Sequence, residues 1–225
     1  LTKDLINSAL TGEISLYQES GFHGYSLILS RSILSKIRQR FGRVVLPLSP
    51  DYTLAYMASL NMDSFYHLEW CSFEYCYKAA SNGFSAGYQG PLFRKFLSDN
   101  RMSIEDTIKH VPIKVYTIWN SVLSDFFTVY AANKKIISHD LFDMPRYWKR
   151  LYSELVHYST LTHMDMSEKF AKLYEFMETD PRLQSLDIGH FIEGNRLAIS
   201  GPVASGRRAR PIRRLASKAK QILRR

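Results

Sequence analysis

The residue best placed for chemistry in this sequence is Asp51, which stands at the start of a predicted helix directly after an apolar segment. Residues 44–46 predict the end of a buried strand, and Ser49 with Pro50 is typical of a helix cap followed by a first turn. The helix dipole and the free backbone N–H groups of a first turn favour a negative charge. We therefore expect Asp51 to be an anionic acceptor of protons or hydroxyl hydrogen bonds. A structural role is the alternative, because an Asp in a first turn commonly serves only to stabilise its helix.

The composition is that of a folded protein whose excess positive charge is concentrated at one end. Hydrophobic residues make up 45% of the 225 residues and aromatic residues 13%, which excludes a disordered chain. Nine of the thirty Lys and Arg residues lie at 207–225, where no acid occurs, and the other twenty-one match the twenty-one Asp and Glu residues. The body of the chain is therefore neutral, and the net charge of +9 belongs to the tail.

Three features of the sequence bear on its compartment and its extent. Cys71 and Cys76 lie in a segment predicted to be extended, where their side chains point to opposite faces and disfavour a mutual disulfide. We recognise no signal peptide, and polar residues interrupt the richest apolar run, at 111–132, before it reaches the length of a membrane span. Because the two cysteines are not expected to form a disulfide, a reducing compartment is expected. Because the chain begins at Leu1 rather than Met, we expect it to have been cut from a longer one.

The predicted elements change along the chain from mixed strand and helix to helix alone. Strands are predicted at 24–29, 43–46, 64–70 and 72–77. Ser30 is predicted to cap a helix that Gly42 ends, and the Asp51 helix is predicted to run to about Asn61. From about residue 89 onward helices are predicted at 112–132, 145–158 and 167–177, the last of them capped by Ser167 or Asp165.

The order of the elements at 22–83 resembles the second half of the catalytic domain of family 2 glycosyltransferases, which have the GT-A fold and use nucleotide-diphospho-sugar donors. In that family a Gly and an Arg flank a strand that leads to a helix, as Gly24 and Arg31 do here, and a Gly ends the helix, as Gly42 does. An acidic motif then opens the next helix. Its counterpart here is Pro50-Asp51-Tyr52-Thr53-Leu54-Ala55, and Ser81-Asn82-Gly83 resembles the closing turn of the family.

This resemblance implies an α/β fold with a partial GT-A (Rossmann-like) acceptor-side half at 1–88. The residue pattern adds a mainly helical extension at 89–199 and a flexible basic tail at 200–225. The resemblance also implies inverting transfer of a sugar from a nucleotide-sugar donor to a glycan or lipid-linked acceptor in bacterial cell-surface polysaccharide synthesis. Asp51 takes the place of the general base, which removes the proton of the acceptor hydroxyl. The candidate acceptor-binding residues are His23, Tyr52 and Ser81. The alternative for His23 is an interior or strand-edge histidine, and the alternative for Ser81 is a turn without a function.

The sequence departs from the family pattern at positions that matter for the site. Pro50 replaces the Glu that usually precedes the Asp, and residues 78–80 replace a glycine that is common in the family. The nucleotide-binding half, with its Asp-x-Asp metal motif, is missing from these residues. A divalent cation, Mn²⁺ or Mg²⁺, is therefore expected only in the complete enzyme, with no metal ligand assignable in this chain. The chain alone is expected to be inactive.

The C-terminal tail predicts a basic amphipathic helix without reference to any family. Its apolar residues fall within about one third of a helical wheel, and basic residues occupy the rest. The residues expected to contact a membrane are Arg213, Arg214, Leu215, Lys218, Lys220, Ile222 and Leu223. A helix of this kind lies at the surface of an anionic membrane, so we expect a cytoplasmic protein that is peripheral at the inner face of the cell membrane.

Two other interpretations of the chain are left open by its sequence. The tail is also compatible with a solvated or core-docked helix. A nucleic-acid partner is not expected, because the tail has no aromatic residue on which a base could stack. The alternative to an enzyme is a non-catalytic helical membrane-surface or scaffolding protein, in which the tail is functional and Asp51 only stabilises its helix.

Overall fold

The computed structural model describes residues 27–46, 48–64, 86–87, 89–132, 143–162, 165–184, 186 and 191. The helices of these ranges are α1 (Arg31–Phe41), α2 (Pro50–Ser59), α3 (Pro91–Asp99), α4 (Ile104–Thr107), α5 (Ile118–Ala132), α6 (Met144–Thr162) and α7 (Ser167–Thr179), followed by a 3₁₀ turn at Pro181–Leu183. The chain divides into two compact units, Leu1–Tyr147 and Trp148–Arg225, and the division falls within α6. The functional boundaries predicted at residues 88 and 199 stay predictions.

The α/β prediction, with its partial GT-A half, is wrong for the described part of the chain, which is 70% helical and contains no strand or sheet. Residues 43–46, predicted to be a strand, form bends and irregular chain, and Val45 is 46% exposed. Residues 27–29 are also irregular. An apolar segment becomes a strand only when a neighbouring strand satisfies its backbone N–H and C=O groups, and none of the described segments does so. The strands predicted at 24–26, 65–70 and 72–77 lie outside the described residues.

Helix α1 confirms the prediction made from its capping residues. At its start the Ser30 Oγ accepts the N–H of Ile33 at 3.3 Å. At its end Gly42 has a φ of 74°, and its N–H donates to the Arg38 carbonyl at 2.8 Å. This left-handed backbone favours glycine, so the helix ends where the sequence indicates. The apolar side of α1 turns inward, and Ile37 is fully buried.

Helix α5 begins later than the predicted residue 112 because side chains hold the preceding segment in irregular chain. The Asn120 Nδ2 donates to the carbonyls of Ile113 and Val115, at 2.8 and 2.6 Å. The Thr117 Oγ1 accepts the N–H of Asn120 at 3.1 Å and so caps the helix. The Asn120 Oδ1 accepts the hydroxyl of Tyr147 at 2.6 Å, and both side chains are fully buried. This buried network fixes the start of the helix.

Helix α5 forms the centre of the first unit, as its nearly continuous apolar sequence predicts. All of its residues from Trp119 to Phe127 are buried, which is typical of a helix that is hydrophobic around most of its circumference. Helix α2 packs against it, and the rings of Tyr56 and Phe126 meet edge to face with their centroids 4.9 Å apart. The helix that carries Asp51 is therefore anchored on the core of its unit.

The second unit contains an aromatic core between α6 and α7. The Trp148 Nε1 donates to the Leu173 carbonyl at 2.9 Å, and the Trp148 ring stacks on Tyr152 at 5.4 Å. At the start of α7 the Asp165 Oδ1 accepts the N–H of Ser167 at 2.9 Å, but the cap position is occupied by Met166 and no side chain there makes a capping bond, so the predicted cap at Ser167 or Asp165 is wrong. Among the described helices, none combines the length and the apolar character needed to cross a membrane.

Candidate functional site

Asp51 lies in the first turn of α2, where the sequence places it. Ser49 occupies the cap position and Pro50 the first helical position, as predicted. Proline suits this position because its fixed φ matches the helix and its missing N–H is not needed there. The hydroxyl of Ser49, however, does not cap the helix. A different group fixes the start of α2.

That group is the carboxyl of Asp125, which comes from α5. Its Oδ2 accepts the backbone N–H of Ser49 at 3.1 Å, and both residues are 7% exposed. The fully buried Thr53 donates its hydroxyl to the Ser49 carbonyl at 3.0 Å. The N-terminus of α2 is therefore held by a contact between residues that are 76 positions apart in the sequence.

Burial raises the pKa of Asp125 to about 7, although the hydrogen bonds from Ser49 act in the opposite direction. In the sequence, Asp125 is only an interruption of the apolar run at 111–132. The sequence feature that marks Asp125 is that it is a single acid within an apolar helix. A buried carboxyl in such a helix needs a hydrogen-bond donor from elsewhere in the fold. The sequence does not identify that donor.

The far end of α2 is also tied to a neighbouring helix. The Asn61 Nδ2 donates to the Met57 carbonyl at 2.6 Å, and the Asn61 Oδ1 accepts from the Nη1 of Arg40 on α1 at 3.0 Å. Helix α2 is thus held by α5 at its start and by α1 just beyond its end. A side chain on such a helix has a well-defined position, which is what a chemical site requires.

The carboxylate of Asp51 is half-buried and forms no hydrogen bond or ion pair within the part of the chain that the structure describes. It does not cap its own helix, because the first-turn contact at Ser49 belongs to Asp125. The alternative that Asp51 only stabilises its helix, through the helix dipole, stays a prediction, because its charge lies in the first turn. Its two oxygens are left able to accept a hydrogen bond or a proton from a bound molecule.

Of the other predicted site residues, Tyr52 belongs to the part of the chain that the structure describes. Tyr52 follows Asp51 in the first turn of α2 and is also half-buried. His23, Ser81 and the tail residues at 213–223 lie outside the described residues. Asp51 and Tyr52 are therefore the two predicted site residues that the structure brings together.

The described residues do not provide a site for the divalent cation that the family resemblance implies. They contain no group of three or more His, Cys, Asp or Glu side chains arranged to hold a metal. The carboxyl of Asp125 is directed at Ser49 and does not add a ligand to Asp51. Proton acceptance is the chemistry that a single carboxylate such as Asp51 can supply by itself.

No protein-family model, curated protein or solved structure matches this chain. Function is therefore inferred from the residues themselves and from the geometry of α2. That geometry consists of a helix fixed at both ends, with an acid available in its first turn.

Proposed function

We propose that this chain is the acceptor-side part of a glycosyltransferase and that Asp51 is the general base. The observation that carries the proposal is the half-buried Asp51 carboxylate, which lies on a fixed helix and has no partner among the described residues. A general base needs a defined position and an oxygen that is not already engaged. Asp51 meets both requirements. The proposal rests on this carboxylate and on the motif around it, not on a GT-A fold.

In the proposed reaction the oxygen of an acceptor hydroxyl attacks the anomeric carbon of a nucleotide-sugar donor. A new C–O bond forms while the bond to the diphosphate breaks, and the bonding electron pair leaves with the nucleoside diphosphate. The proton of the hydroxyl passes to Asp51, which makes the oxygen a stronger nucleophile as it attacks. Attack from the side opposite the leaving group inverts the configuration at carbon. Tyr52, His23 and Ser81 are the proposed contacts to the glycan or lipid-linked acceptor.

Donor binding is the first test of this function. The gene product, read from its own start codon, would be titrated by calorimetry with UDP-glucose, UDP-galactose, UDP-N-acetylglucosamine and GDP-mannose, with and without Mn²⁺. We expect one of these donors to bind in a manganese-dependent way, with a Kd below about 1 mM, the usual upper range for enzyme substrates. Absence of binding, together with absence of an upstream Asp-x-Asp, would contradict the proposal and favour a non-catalytic membrane-surface protein.

The proposed location is the cytoplasmic face of the cell membrane, where a lipid-linked acceptor would be presented. The charge of the tail supports this location, because residues 207–225 include nine basic residues and no acid, with an apolar stripe between the basic residues. Cations of this kind are attracted to anionic headgroups, and the apolar stripe adds hydrophobic binding.

Neutralising the tail should weaken membrane binding strongly. In a variant with Arg213, Arg214, Lys218 and Lys220 replaced by Gln, each lost cation should weaken binding roughly fivefold, or several hundredfold in total. Sedimentation with vesicles of phosphatidylcholine containing about 30% phosphatidylglycerol measures this partition. Vesicles of phosphatidylcholine alone are the control. Equal pelleting of the variant and the wild type would contradict the proposed location.

A further inference from the structure

Helix α1 carries an exposed surface on which all of the charged residues are basic. There is no acidic residue between Glu19 and Asp51 in the sequence. The exposed cations of this region are Arg31, Lys36, Arg38, Arg40 and Arg43, and we call them the basic face. Because Ile37 is turned toward the interior, the cations lie along the two edges of the exposed side of α1, with Arg31 and Arg38 on one edge and Lys36 and Arg40 on the other.

The positive charge of the basic face is not neutralised within the described part of the chain. Ion pairs in that part of the chain join other residues, as Lys95 does with Asp99, Lys172 with Glu168, and Arg182 with Asp180. Arg40 contacts a neutral group, the amide oxygen of Asn61. A cluster of like charges without counter-charges produces a positive potential that attracts an anionic partner.

Exposed apolar side chains flank the basic face at both ends of α1. Ile28, before the helix, is 93% exposed, and Val45, after it, is 46% exposed. An anionic bilayer offers partners to both kinds of residue, because cations meet the headgroups while apolar side chains enter the acyl boundary. A nucleic acid fits less well, since the exposed residues of 27–46 include no aromatic ring for base stacking. An acidic protein would account for the cations but would give Ile28 no specific partner.

We propose that the basic face, together with Ile28 and Val45, is a contact surface for an anionic lipid bilayer. The eleven residues of α1 span about 16 Å, enough to meet several lipid headgroups. The long side chains of Arg and Lys reach headgroups from either flank of such a helix. This surface is separate in sequence from the basic tail. The inference depends neither on the tail nor on glycosyl transfer.

The test compares two full-length variants that lose the same charge from different surfaces. The first replaces Arg31, Lys36 and Arg38 by Gln, and Arg40 is kept because it contacts Asn61. The matched control replaces Arg94, Arg101 and Lys109 by Gln; these are also exposed cations of the first unit. Partition onto vesicles of phosphatidylcholine with about 30% phosphatidylglycerol is measured for both, and circular dichroism verifies that both keep their helix content.

The first variant should bind these vesicles on the order of 100-fold more weakly, and the control should stay close to the wild type. The same difference should persist when the tail cations are neutralised, because the two surfaces act separately. Equal weakening of the two variants would show a general response to net charge and would overturn the proposal. Unchanged binding of the first variant would also overturn it.

Two further measurements separate a membrane from other anionic partners. Replacing Ile28 by Ser leaves the charge unchanged and should weaken vesicle binding about tenfold at both low and high salt. Fluorescence anisotropy with a single-stranded and a duplex oligonucleotide should show no specific role for the basic face. If the basic-face variant loses oligonucleotide binding and keeps vesicle binding, the surface belongs to a nucleic acid and the membrane assignment is wrong.

Discussion

Replacing Asp51 by Asn in the complete enzyme should abolish glycosyl transfer while leaving donor binding intact. Asparagine has nearly the same shape and still accepts hydrogen bonds, but it cannot take the proton of the acceptor hydroxyl. Loss of general base catalysis lowers kcat by about 10²- to 10⁴-fold. The measurement is the release of nucleoside diphosphate in the presence of acceptor, with the donor Kd determined separately by calorimetry on the same protein.

The matched control for this experiment is Asp63→Asn. Asp63 is exposed and lies beyond the end of α2, so its neutralisation should leave turnover unchanged. The helix should also tolerate the change at Asp51, because an acid in a first turn contributes only about 0.3 to 1 kcal/mol through the helix dipole. Full turnover by Asp51→Asn would reject Asp51 as the base, whereas lost donor binding would indicate a structural defect.

Replacing Asp125 by Asn should remove most of the pH dependence of stability that this buried carboxyl produces. Its pKa is about 7 in the folded chain, against an ordinary value of 3.8. Because the folded state holds the proton more tightly, the stabilisation is fully present below about pH 4 and is lost as the pH rises through 7. Between these two pH limits, the contribution of Asp125 to the free energy of unfolding changes by on the order of 4 kcal/mol. Asparagine has no proton to lose and can still accept the N–H of Ser49.

Urea unfolding of wild type and Asp125→Asn at about pH 4, pH 6 and pH 8 measures this effect. The other titrating groups are common to the two proteins, so the difference between their curves isolates Asp125. We expect the variant to gain stability relative to the wild type as the pH rises, whereas Asp63→Asn, the exposed control, should follow the wild-type curve. Parallel curves for wild type and Asp125→Asn would contradict the raised pKa.

The sequence by itself determined both ends of α1, the start of α2 and the position of Asp51. Ser30 and Gly42 mark the limits of α1, and Pro50 marks the start of α2, because capping depends on backbone groups within a few residues of the cap. The same local pattern places Asp51 in a first turn. The apolar run at 111–132 likewise indicated a central buried helix, although its first residue was wrong.

Only the tertiary structure decided which groups form hydrogen bonds with the ends of these helices. The partner of Asp125 is the backbone of Ser49, 76 residues away, and no local pattern connects them. Asn120 delays the start of α5 through bonds to carbonyls that become its neighbours only when the preceding chain bends back. Residues 43–46 have the composition of a strand, yet in the described part no strand lies beside them. Strand pairing and buried polar contacts join distant parts of the chain, so the fold determines them and the local sequence does not.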